Sequence, residues 1–469
     1  MGQSNKRIIM FTVSLALFMD VLDTNIINTA IPTMARNFNV NPVDLKIALI
    51  SYLLSLAIFI PISGWTADKY GTKPIFIGAL SLFTVSSFFC GYAHSLMDLV
   101  IGRSVQGIGG AFMISVGRLI IARTFERHQL VEAMNTVIIV VSLAVMLGPF
   151  IGGVIVENFS WPWIFWINIP AGILAIVLAA YGLRDTSVKK ERPFDFLGFI
   201  LFGGSLALLC FSLSELSESG VNLSSILIMM IISFIMFIVC IIHAKKHPHP
   251  VINIELFRFR TFRISVLGNL CTRLGFGGMP FLLPLLQQIG LGLSAELSGL
   301  LLVPIALGII FSKLFAYRIL RLLGYKRYLI TNTLLMGVVL ASFEIINTQT
   351  SLYTIACLTF TFGMITAAQF TAMNSLAFAE INQEDLSAST SITGTTQVMA
   401  QTLGVAVGAI LLRFYASNFK ESTVLTTTVF HQVFITMSIL TLISSLIFIR
   451  LKSDDGQQML VERVDEMTD

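Results

Sequence analysis

The chain carries the sequence MDVLDTNIINTAIP at Met19–Pro32, and this stretch indicates both its environment and its chemistry. It places two carboxylates, Asp20 and Asp23, inside an apolar run at residues 8–31. Such a run is long enough to cross a hydrocarbon core of about 30 Å. A charge at that depth costs about 2.5–3.5 kcal/mol on insertion scales, so intramembrane carboxylates indicate a functional site.

The composition of the whole chain indicates an all-α integral membrane protein. Of its 469 residues, 55% are hydrophobic and 12% are charged, whereas soluble domains carry about 25% charged residues. Fourteen apolar runs long enough to span a bilayer are predicted. They are residues 8–31, 44–64, 74–93, 97–121, 133–156, 163–183, 195–214, 223–243, 262–288, 296–316, 328–347, 352–378, 388–411 and 431–450. The alternative is a twelve-helix protein in which two of these runs do not cross the membrane.

The distribution of basic residues predicts the orientation of the chain. Lysines and arginines crowd the N-terminus, alternate loops and the segment after the last span, where Arg450 and Lys452 lie. Cytoplasmic loops carry this excess, so both termini are expected in the cytoplasm, which requires an even number of helices. The formal net charge of +4 then reflects membrane topology, and nucleic-acid binding is not indicated.

An internal repeat is visible in the loops and in the glycine pattern. Gly71 and Lys73 match Gly324 and Lys326 at a constant offset. Another pair, Gly148 and Gly152, matches Gly404 and Gly408 at nearly the same offset. Repeats of this kind are typical of transporters whose substrate site lies near the midplane, between the two repeats.

The repeat predicts two six-helix halves with two extra helices inserted between them. The expected divisions are an N-terminal bundle at residues 1–190, inserted helices and linker at 191–250, and a C-terminal bundle at 251–452. Residues 453–469 are polar and acidic, which predicts a disordered cytoplasmic tail.

Two opposite charges are predicted to lie at matching depths. Helix 1 runs outward and ends near Ile31, which places Asp23 roughly 12 Å below the outer surface and Asp20 nearer the midplane. Helix 4 runs inward from about Met97, which places Arg103 roughly 9 Å below the same surface. An ion pair or a shared hydrogen-bond network would relieve both desolvation costs. The alternative is that Asp23 only caps or packs locally.

A second deep cation is Arg273, which helix 9 places roughly 16 Å into the membrane. Gly275, Gly277, Gly278 and Pro280 follow, so a bend or break of the helix is expected there. A midplane arginine needs an anionic partner, for which Asp20 and an acidic substrate are the two candidates.

Polar residues also recur inside helices 12 and 13. Gln369 and Asn374 lie on helix 12, and Gln397 and Gln401 lie on helix 13. Together with Asp20 and Arg273 they are predicted to line a partly hydrated substrate cavity. Hydrogen bonds between helices would explain them equally well.

Several other classes of protein lack support in the sequence. No nucleophile–base set, metal-ligand spacing or phosphate-binding loop is present, so neither an enzyme, a metal site nor ATP-driven pumping is indicated. The histidines at 243, 247 and 249 are interpreted as a solvated loop. Five cysteines lie within or beside apolar runs and are expected to be reduced packing residues. No cofactor is expected, and a proton gradient is the expected energy source.

The motifs in this order resemble the major facilitator superfamily, in particular its fourteen-helix drug:proton antiporter branch and the MdtD-type subgroup. The motifs that carry the resemblance are Leu22–Pro32 on helix 1, Gly64–Lys73 in loop 2–3, Arg103, Gln106 and Gly107 on helix 4, Gly148-Pro149 with Gly152-Gly153 on helix 5, and Trp161–Pro170 at helix 6. The resemblance covers essentially the whole chain.

The resemblance also implies roles for these residues. Asp23 would be the proton-coupling carboxylate, Arg103 would assist proton release, and the motif at 148–153 would bias the transporter toward export. Asp68, with Gly64, Gly71 and Lys73, would form a latch in one state of the transport cycle.

The chain departs from the family pattern at three positions. Thr72 and Pro162 stand where many relatives have arginine, which weakens the charge network near Asp68 and the contact at the outer end. Asp20 is an additional carboxylate. In one version of the mechanism it therefore shares the coupled proton with Asp23 or carries that proton in place of Asp23.

These observations predict a proton-coupled secondary transporter of a bacterial inner membrane, acting as a monomer on a small-molecule substrate. Asp20 and Asp23 favour a cationic amphiphile and multidrug export, whereas Arg273 favours an organic anion, a siderophore or a metal chelate. Import is the alternative direction of transport. A membrane receptor that binds a ligand without moving it is a further alternative, although no signalling domain is recognisable.

Overall fold

The computed structural model describes residues 3–125, 127–183, 193–216, 222–382, 385–418 and 425–461. Within these ranges the regular secondary structure is entirely helical, with no strand. Helices α1 to α8 are Gln3–Phe38, Lys46–Tyr70, Thr72–Gly91, Leu96–Thr124, Arg127–Asn158, Trp163–Trp166, Asn168–Gly182 and Phe196–Glu215. Helices α9 to α16 are Leu223–Lys246, Arg260–Phe276, Met279–Leu285, Ala295–Ser342, Leu352–Ala377, Leu386–Asn418, Thr427–Phe448 and Gln458–Val461.

Twelve helical stretches in the described part of the chain are long and apolar enough to cross a membrane. Helices dominate because a chain in lipid must satisfy its backbone hydrogen bonds internally. The 48 residues of α12 cover two predicted spans, and Gly324 between them has a non-helical backbone. The predicted span at 262–288 is instead divided into α10, α11 and a π-helical turn at Leu286–Gly290, none of which is long enough alone.

The predicted break in helix 9 is present. Helix α10 ends at Phe276, and α11 begins at Met279 with Pro280 in its first turn. Proline is tolerated there because the first turn of a helix has no internal acceptor for its N–H groups. The break directly follows Arg273, whose backbone oxygen accepts the N–H of Gly277 at 2.6 Å.

The described chain forms two compact units. The first contains residues 1–208 and 292–303, and the second contains residues 209–291 and 304–469. In the first unit α1 packs against α4, α5 and α7, and α4 also packs against α2 and α3. In the second unit α10 packs against α13, α14 and α15. The two inserted helices predicted at 191–250 are divided between the units, because α8 lies mostly in the first and α9 in the second.

The internal repeat has a counterpart in the backbone of each unit. Gly71 has a φ of 97° and Gly324 a φ of 70°, a conformation that residues with a Cβ rarely adopt. Each glycine therefore ends one helix and starts the next at the matching position of the repeat.

The segment after the last predicted span differs from the expected disordered tail. Residues 453–461 are ordered, with turns followed by α16, whereas 462–469 lie outside the described residues. Asp455 is buried and forms an ion pair with Arg260 at the start of α10. Gly456, at a φ of 76°, lies against the ring of Tyr325. The composition predicted disorder because it does not reveal contacts between residues that are far apart in the sequence.

Candidate functional site

Asp23 lies at the centre of a buried polar network in the first unit. Its side chain is fully buried and forms an ion pair with Arg103 of α4. Its Oδ1 atom accepts hydrogen bonds from Nε2 of Gln106 at 3.0 Å and from Nδ2 of Asn168 at 2.8 Å. The ionised carboxylate thus receives one charged and two neutral donors, which compensates for the cost of burying the charge.

Arg103 and Gln106 act together because they lie three residues apart on α4. Nη1 of Arg103 donates to Oε1 of Gln106 at 2.7 Å, and Nε2 of Gln106 also donates to Oγ of Ser87 at 2.7 Å. The guanidinium carbon of Arg103 lies 4.0 Å from the ring centroid of Tyr52 and 5.8 Å from that of Phe165. The aromatic faces give the cation further stabilisation in a fully buried site.

The ion pair expected from matching depths is therefore present, and the local-packing alternative for Asp23 is wrong. In the sequence, Gln106 and Asn168 are recognisable only as parts of motifs. The structure shows why both matter: α4 and α7 each bring one amide to the same carboxylate oxygen. The role of the network in proton coupling stays a prediction.

Asp20 has a different set of partners, one turn earlier on α1. Its side chain is buried, and its Oδ1 accepts a hydrogen bond of 2.5 Å from the hydroxyl of Tyr52 on α2. Gly110 of α4 provides the space, since a Cβ there would lie 2.7 Å from Oδ1 of Asp20 and 2.8 Å from the Tyr52 hydroxyl. Tyr52 thus contacts Asp20 through its hydroxyl and Arg103 through its ring face.

Sequence reasoning missed Tyr52 and also Arg118. Arg118 lies on α4 near enough to interact electrostatically with Asp20, and its side chain is exposed. The signal for Arg118 was available, because it is a basic residue inside the predicted span at 97–121. Tyr52 offered no such signal, since a tyrosine in an apolar helix is unremarkable by composition.

The motif on α5 contacts two other helices of the first unit. A Cβ at Gly148 would lie 2.8 Å from Cβ of Asn25 on α1. A Cβ at Gly152 would lie 2.6 Å from the backbone oxygen of Ile26 on the same helix. A Cβ at Gly153 would lie 2.3 Å from the backbone oxygen of Ala295. The small residues of this motif therefore allow α1 and the start of α12 to approach α5 closely.

The proline of the motif adds a further close contact with α12. A Cβ at Gly299 would lie 2.2 Å from the backbone oxygen of Pro149. At the end of α5, Oε2 of Glu157 accepts the N–H of Ala295 at 3.2 Å and so caps α12. The carboxylate and the glycines hold residues 292–303 to α5 within this unit.

The loop motif at Gly64–Lys73 forms an ion pair at the other end of the bundle. Oδ1 of Asp68 lies 2.5 Å from Nη2 of Arg123, at the end of α4. Both side chains are partly exposed, so the pair contributes modestly to stability, about 0–1 kcal/mol. Although Thr72 replaces an arginine of the family pattern, Asp68 retains a cationic partner.

Lys73 and Gly64 complete the predicted latch residues. Nζ of Lys73 donates to the backbone oxygen of Ala180, in the last turn of α7, at 2.6 Å. This position suits a cation, because the last carbonyl groups of a helix have no internal donors. Gly64 is exposed, and a Cβ there would meet nothing within 4 Å. The latch function of all four residues stays a prediction.

Four of the predicted cavity residues lie on packed helices of the second unit. Arg273 is on α10, Asn374 is on α13, and Gln397 and Gln401 are on α14, all half-buried. Nε2 of Gln397 donates to Oδ1 of Asn374 at 2.6 Å, which joins α13 to α14.

Gln369 differs from the prediction. Its side chain is buried and bonds to Asn332 and Thr333 of α12, each at 2.8 Å. This amide joins α12 to α13 and has no open face toward a cavity. The hydrogen-bonding alternative stated for the polar stripes therefore applies to Gln369.

Asp20, the remaining predicted cavity residue, has its described contacts within the first unit, and Arg273 has its contacts within the second. The predicted pairing of Asp20 with Arg273 stays a prediction.

The helical fold and the buried charge network define a multi-pass membrane protein of the transporter class. The family model of the Major Facilitator Superfamily matches residues 13–400 and 267–462, and the chain belongs to this superfamily. The chain is 33% identical over 464 residues to the putative multidrug resistance protein MdtD of Pectobacterium carotovorum subsp. carotovorum (strain PC1), covering 99% of each protein. It is 32% identical to the protein of the same description from Escherichia coli O139:H28, covering 97% of this chain and 96% of that protein.

Solved structures show the same fold at low sequence identity. A bacterial homologue of the human lysosomal transporter Spinster has a TM-score of 0.69 at 12% identity, covering 98% of this chain and 99% of that one. A D-xylose–proton symporter has a TM-score of 0.68 at 13% identity, covering 96% and 98%. The superfamily and the MdtD-type resemblance expected from the sequence motifs are thus confirmed.

Proposed function

We propose that the protein is a proton-coupled antiporter that exports small amphiphilic molecules from the cytoplasm by alternating access. The observation that carries the proposal is the buried network in which Asp23 binds Arg103, Gln106 and Asn168. The description of the full-length relatives as putative multidrug resistance proteins supports the substrate class.

The network suits proton coupling because it has two distinct charge states. With Asp23 ionised, the carboxylate holds α1, α4 and α7 together through three donors. A proton on Asp23 would remove the ion pair and leave the guanidinium of Arg103 with Gln106 and the aromatic rings. Protonation would therefore change the packing of α1 against α4, which is the kind of two-state element that a transport cycle needs.

The proton gradient supplies the energy, and no cofactor is required. Asp23 takes up a proton when the cavity faces outward and releases it when the cavity faces inward, which permits substrate binding and return. One proton moving inward across 100 mV releases about 2.3 kcal/mol, in addition to the pH term. Asp20 is the second carboxylate of the same helix, and it shares the coupled proton or contributes to binding of cationic substrates.

The proposed topology has fourteen membrane helices, in two six-helix halves with two inserted helices. It rests on the length of α12, which at 1.5 Å per residue is about 72 Å and enough for two crossings. It also rests on the broken helix formed by α10 and α11. Both termini lie in the cytoplasm, and the protein works as a monomer in the bacterial inner membrane, as a transporter and not an enzyme.

A second candidate is the export or import of an organic anion, a siderophore or a metal chelate. The observation that favours it is Arg273, a cation on α10 for which the described residues provide no carboxylate contact.

The test of the main proposal uses proteoliposomes that are acidified inside. Addition of tetraphenylphosphonium is expected to release protons from wild-type vesicles and not from vesicles with Asp23→Asn. The matched control is Glu344→Gln, which neutralises an exposed carboxylate near the end of the predicted span at 328–347, in the short helical turn Phe343–Ile345 after α12, and should behave as wild type. Uphill, proton-linked transport that persists in Asp23→Asn would remove the basis of the proposal.

A further inference from the structure

Arg273 occupies a deep position in the second unit, in the last turn of α10. It lies thirteen positions after Arg260 at the start of that helix, which corresponds to about 20 Å along the axis. Its side chain is half-buried, and its Nε atom is fully enclosed without a hydrogen-bond partner. A guanidinium stays protonated under all physiological conditions, so the site carries a permanent positive charge.

Helices α9 to α15 contribute no carboxylate to the second unit that could neutralise this charge. The sequences of α9, α10, α11, α13, α14 and α15, and of α12 from Pro304 onward, hold neither aspartate nor glutamate. The described acidic residues of this unit lie in the segments that connect or follow these helices, apart from Glu215, the last residue of α8. An arginine held at this depth without a fixed counter-charge is costly, and the cost falls when an anion binds.

Two aromatic rings lie near the guanidinium of Arg273. Its carbon lies 5.2 Å from the ring centroid of Phe370 on α13 and 5.9 Å from that of Phe276 on α10. Phe276 is buried, whereas Phe370 is half-buried. These rings stabilise the cation partly, but they accept no hydrogen bond in the plane of the guanidinium.

A second unsatisfied polar group lies one turn earlier on the same face of α10. Asn269 is buried, and its Oδ1 atom has no hydrogen-bond partner. Since the oxygen and nitrogen of an amide are assigned from their surroundings, this side chain can present either an acceptor or two donors. Asn269 and Arg273 are thus two adjacent polar groups that the described residues leave incomplete.

The neighbouring helix α14 brings further polar groups to this region. A Cβ at Gly404 of α14 would lie 2.6 Å from the backbone oxygen of Arg273, so the end of α10 and α14 are in direct backbone contact. Gln397 lies on α14, two turns before Gly404, and it bonds to Asn374, one turn after Phe370 on α13.

We propose that Arg273 binds the anionic group of an aromatic carboxylate or sulfonate, whose ring lies against Phe370. The guanidinium binds the two oxygens of the anion in its plane, and Asn269 supplies an additional hydrogen bond. The Asn374–Gln397 pair forms the polar border of the site. This inference rests on the proposed function, in that it names a substrate class for a small-molecule transporter.

The test measures binding of naphthalene-2-carboxylate to the purified full-length protein in lipid nanodiscs by calorimetry. Its neutral amide, naphthalene-2-carboxamide, is the matched ligand control. Arg273→Gln is expected to weaken carboxylate binding by about tenfold or more, since hydrogen bonds to charged groups are the strong ones. The same variant should leave binding of the amide and of tetraphenylphosphonium within about twofold of wild type.

Two other variants sharpen the assignment. Phe370→Leu should weaken binding of the carboxylate and of the amide alike, because it removes the ring contact and keeps the charge. Arg321→Gln, which neutralises an exposed arginine of α12, should change neither. Retention of tetraphenylphosphonium binding shows that each variant is folded.

Three results would overturn the inference. In the first, the wild-type protein does not bind naphthalene-2-carboxylate. In the second, the Arg273→Gln variant binds it as well as wild type. In the third, adding Asp20→Asn to Arg273→Gln restores binding of naphthalene-2-carboxylate. The last would assign Arg273 to an ion pair with Asp20. All three concern binding alone, so they are distinguishable from a failure of proton coupling in the Asp23→Asn experiment.

Discussion

Asp20 and Asp23 lie three residues apart on α1, yet their carboxylates bind different kinds of partner. Asp23 accepts from the guanidinium of Arg103 and from two amides, whereas Asp20 accepts from the hydroxyl of Tyr52. One carboxylate is therefore part of an ion pair, and the other is hydrogen-bonded to a neutral group. The two residues are expected to respond differently to removal of their charge.

The first prediction concerns the stability of the ion pair. Asp23→Asn should destabilise the protein by about 3–5 kcal/mol, because it leaves Arg103 buried without its counter-charge. Asp20→Asn should cost less, since no buried cation loses a direct partner. Thermal unfolding in detergent, followed by tryptophan fluorescence, measures the difference.

A double-mutant cycle tests the same pair more directly. Asp23→Asn combined with Arg103→Gln should be less destabilised than the sum of the two single changes, because both charges are then absent. Additive effects would contradict an energetic coupling between these residues.

The second prediction concerns the space that Gly110 leaves for the Asp20–Tyr52 hydrogen bond. Gly110→Ala places a Cβ 2.7 Å from Oδ1 of Asp20, so this bond must lengthen or break. The expected loss of stability is about 1–3 kcal/mol, as for other overpacked interiors. Proton-coupled transport in proteoliposomes should fall as well.

The matched control for this change is Gly78→Ala on α3. A Cβ at Gly78 meets nothing within 4 Å, so alanine there should stabilise the helix by up to about 1 kcal/mol. If the two alanine variants have the same melting temperature, close packing at Gly110 does not limit the stability of the protein.

The sequence carried enough information to predict the pairing of Asp23 with Arg103. Intramembrane charges are rare, and the rise per residue converts their positions into depths, so two opposite charges at one depth are natural partners. The break after Arg273 was likewise predictable, because Gly277, Gly278 and Pro280 each weaken a helix at a known place.

The orientation of helix faces was not predictable in the same way. Gln369 lies in a helix that is apolar on most sides, so the sequence does not indicate which neighbour its amide meets. In the structure this amide is hydrogen-bonded to Asn332 and Thr333 on α12. Tyr52 and the ordered segment around Asp455 were missed for a related reason, since their partners are separated by long stretches of sequence.

The third prediction compares two glycines related by the internal repeat. Gly152→Ala places a Cβ 2.6 Å from the backbone oxygen of Ile26, which cannot move without shifting α1 from α5. Gly408→Ala places a Cβ 3.2 Å from Cδ1 of Leu282, a flexible side chain that can move. The first change should cost about 1–3 kcal/mol and the second much less.

Melting temperatures of the two variants in one detergent measure this difference. Proton-linked export should also be lower for Gly152→Ala, because α1 carries Asp23. An equal effect at both positions would indicate that the repeat imposes the same packing demand in each unit.

The fourth prediction concerns the ion pair between Arg260 and Asp455. Asp455→Asn should lower the melting temperature by a few degrees, because the buried carboxylate also accepts the N–H of Lys452 and so orders the segment after α15. The adjacent Asp454 is exposed, and Asp454→Asn is the matched control. Limited proteolysis should cleave the segment faster in Asp455→Asn than in Asp454→Asn.

The pH dependence of this contact follows from Arg260. Its hydrogen bond to Asp455 raises the pKa of the guanidinium above its usual value. A raised pKa means that the arginine's contribution is fully present below the pKa of the unfolded chain and is lost only as the pH rises through the higher folded value. The difference in melting temperature between Asp455→Asn and wild type should therefore stay constant from neutral to moderately alkaline pH. A difference that disappears in this range would show that the pairing with Arg260 does not order the segment.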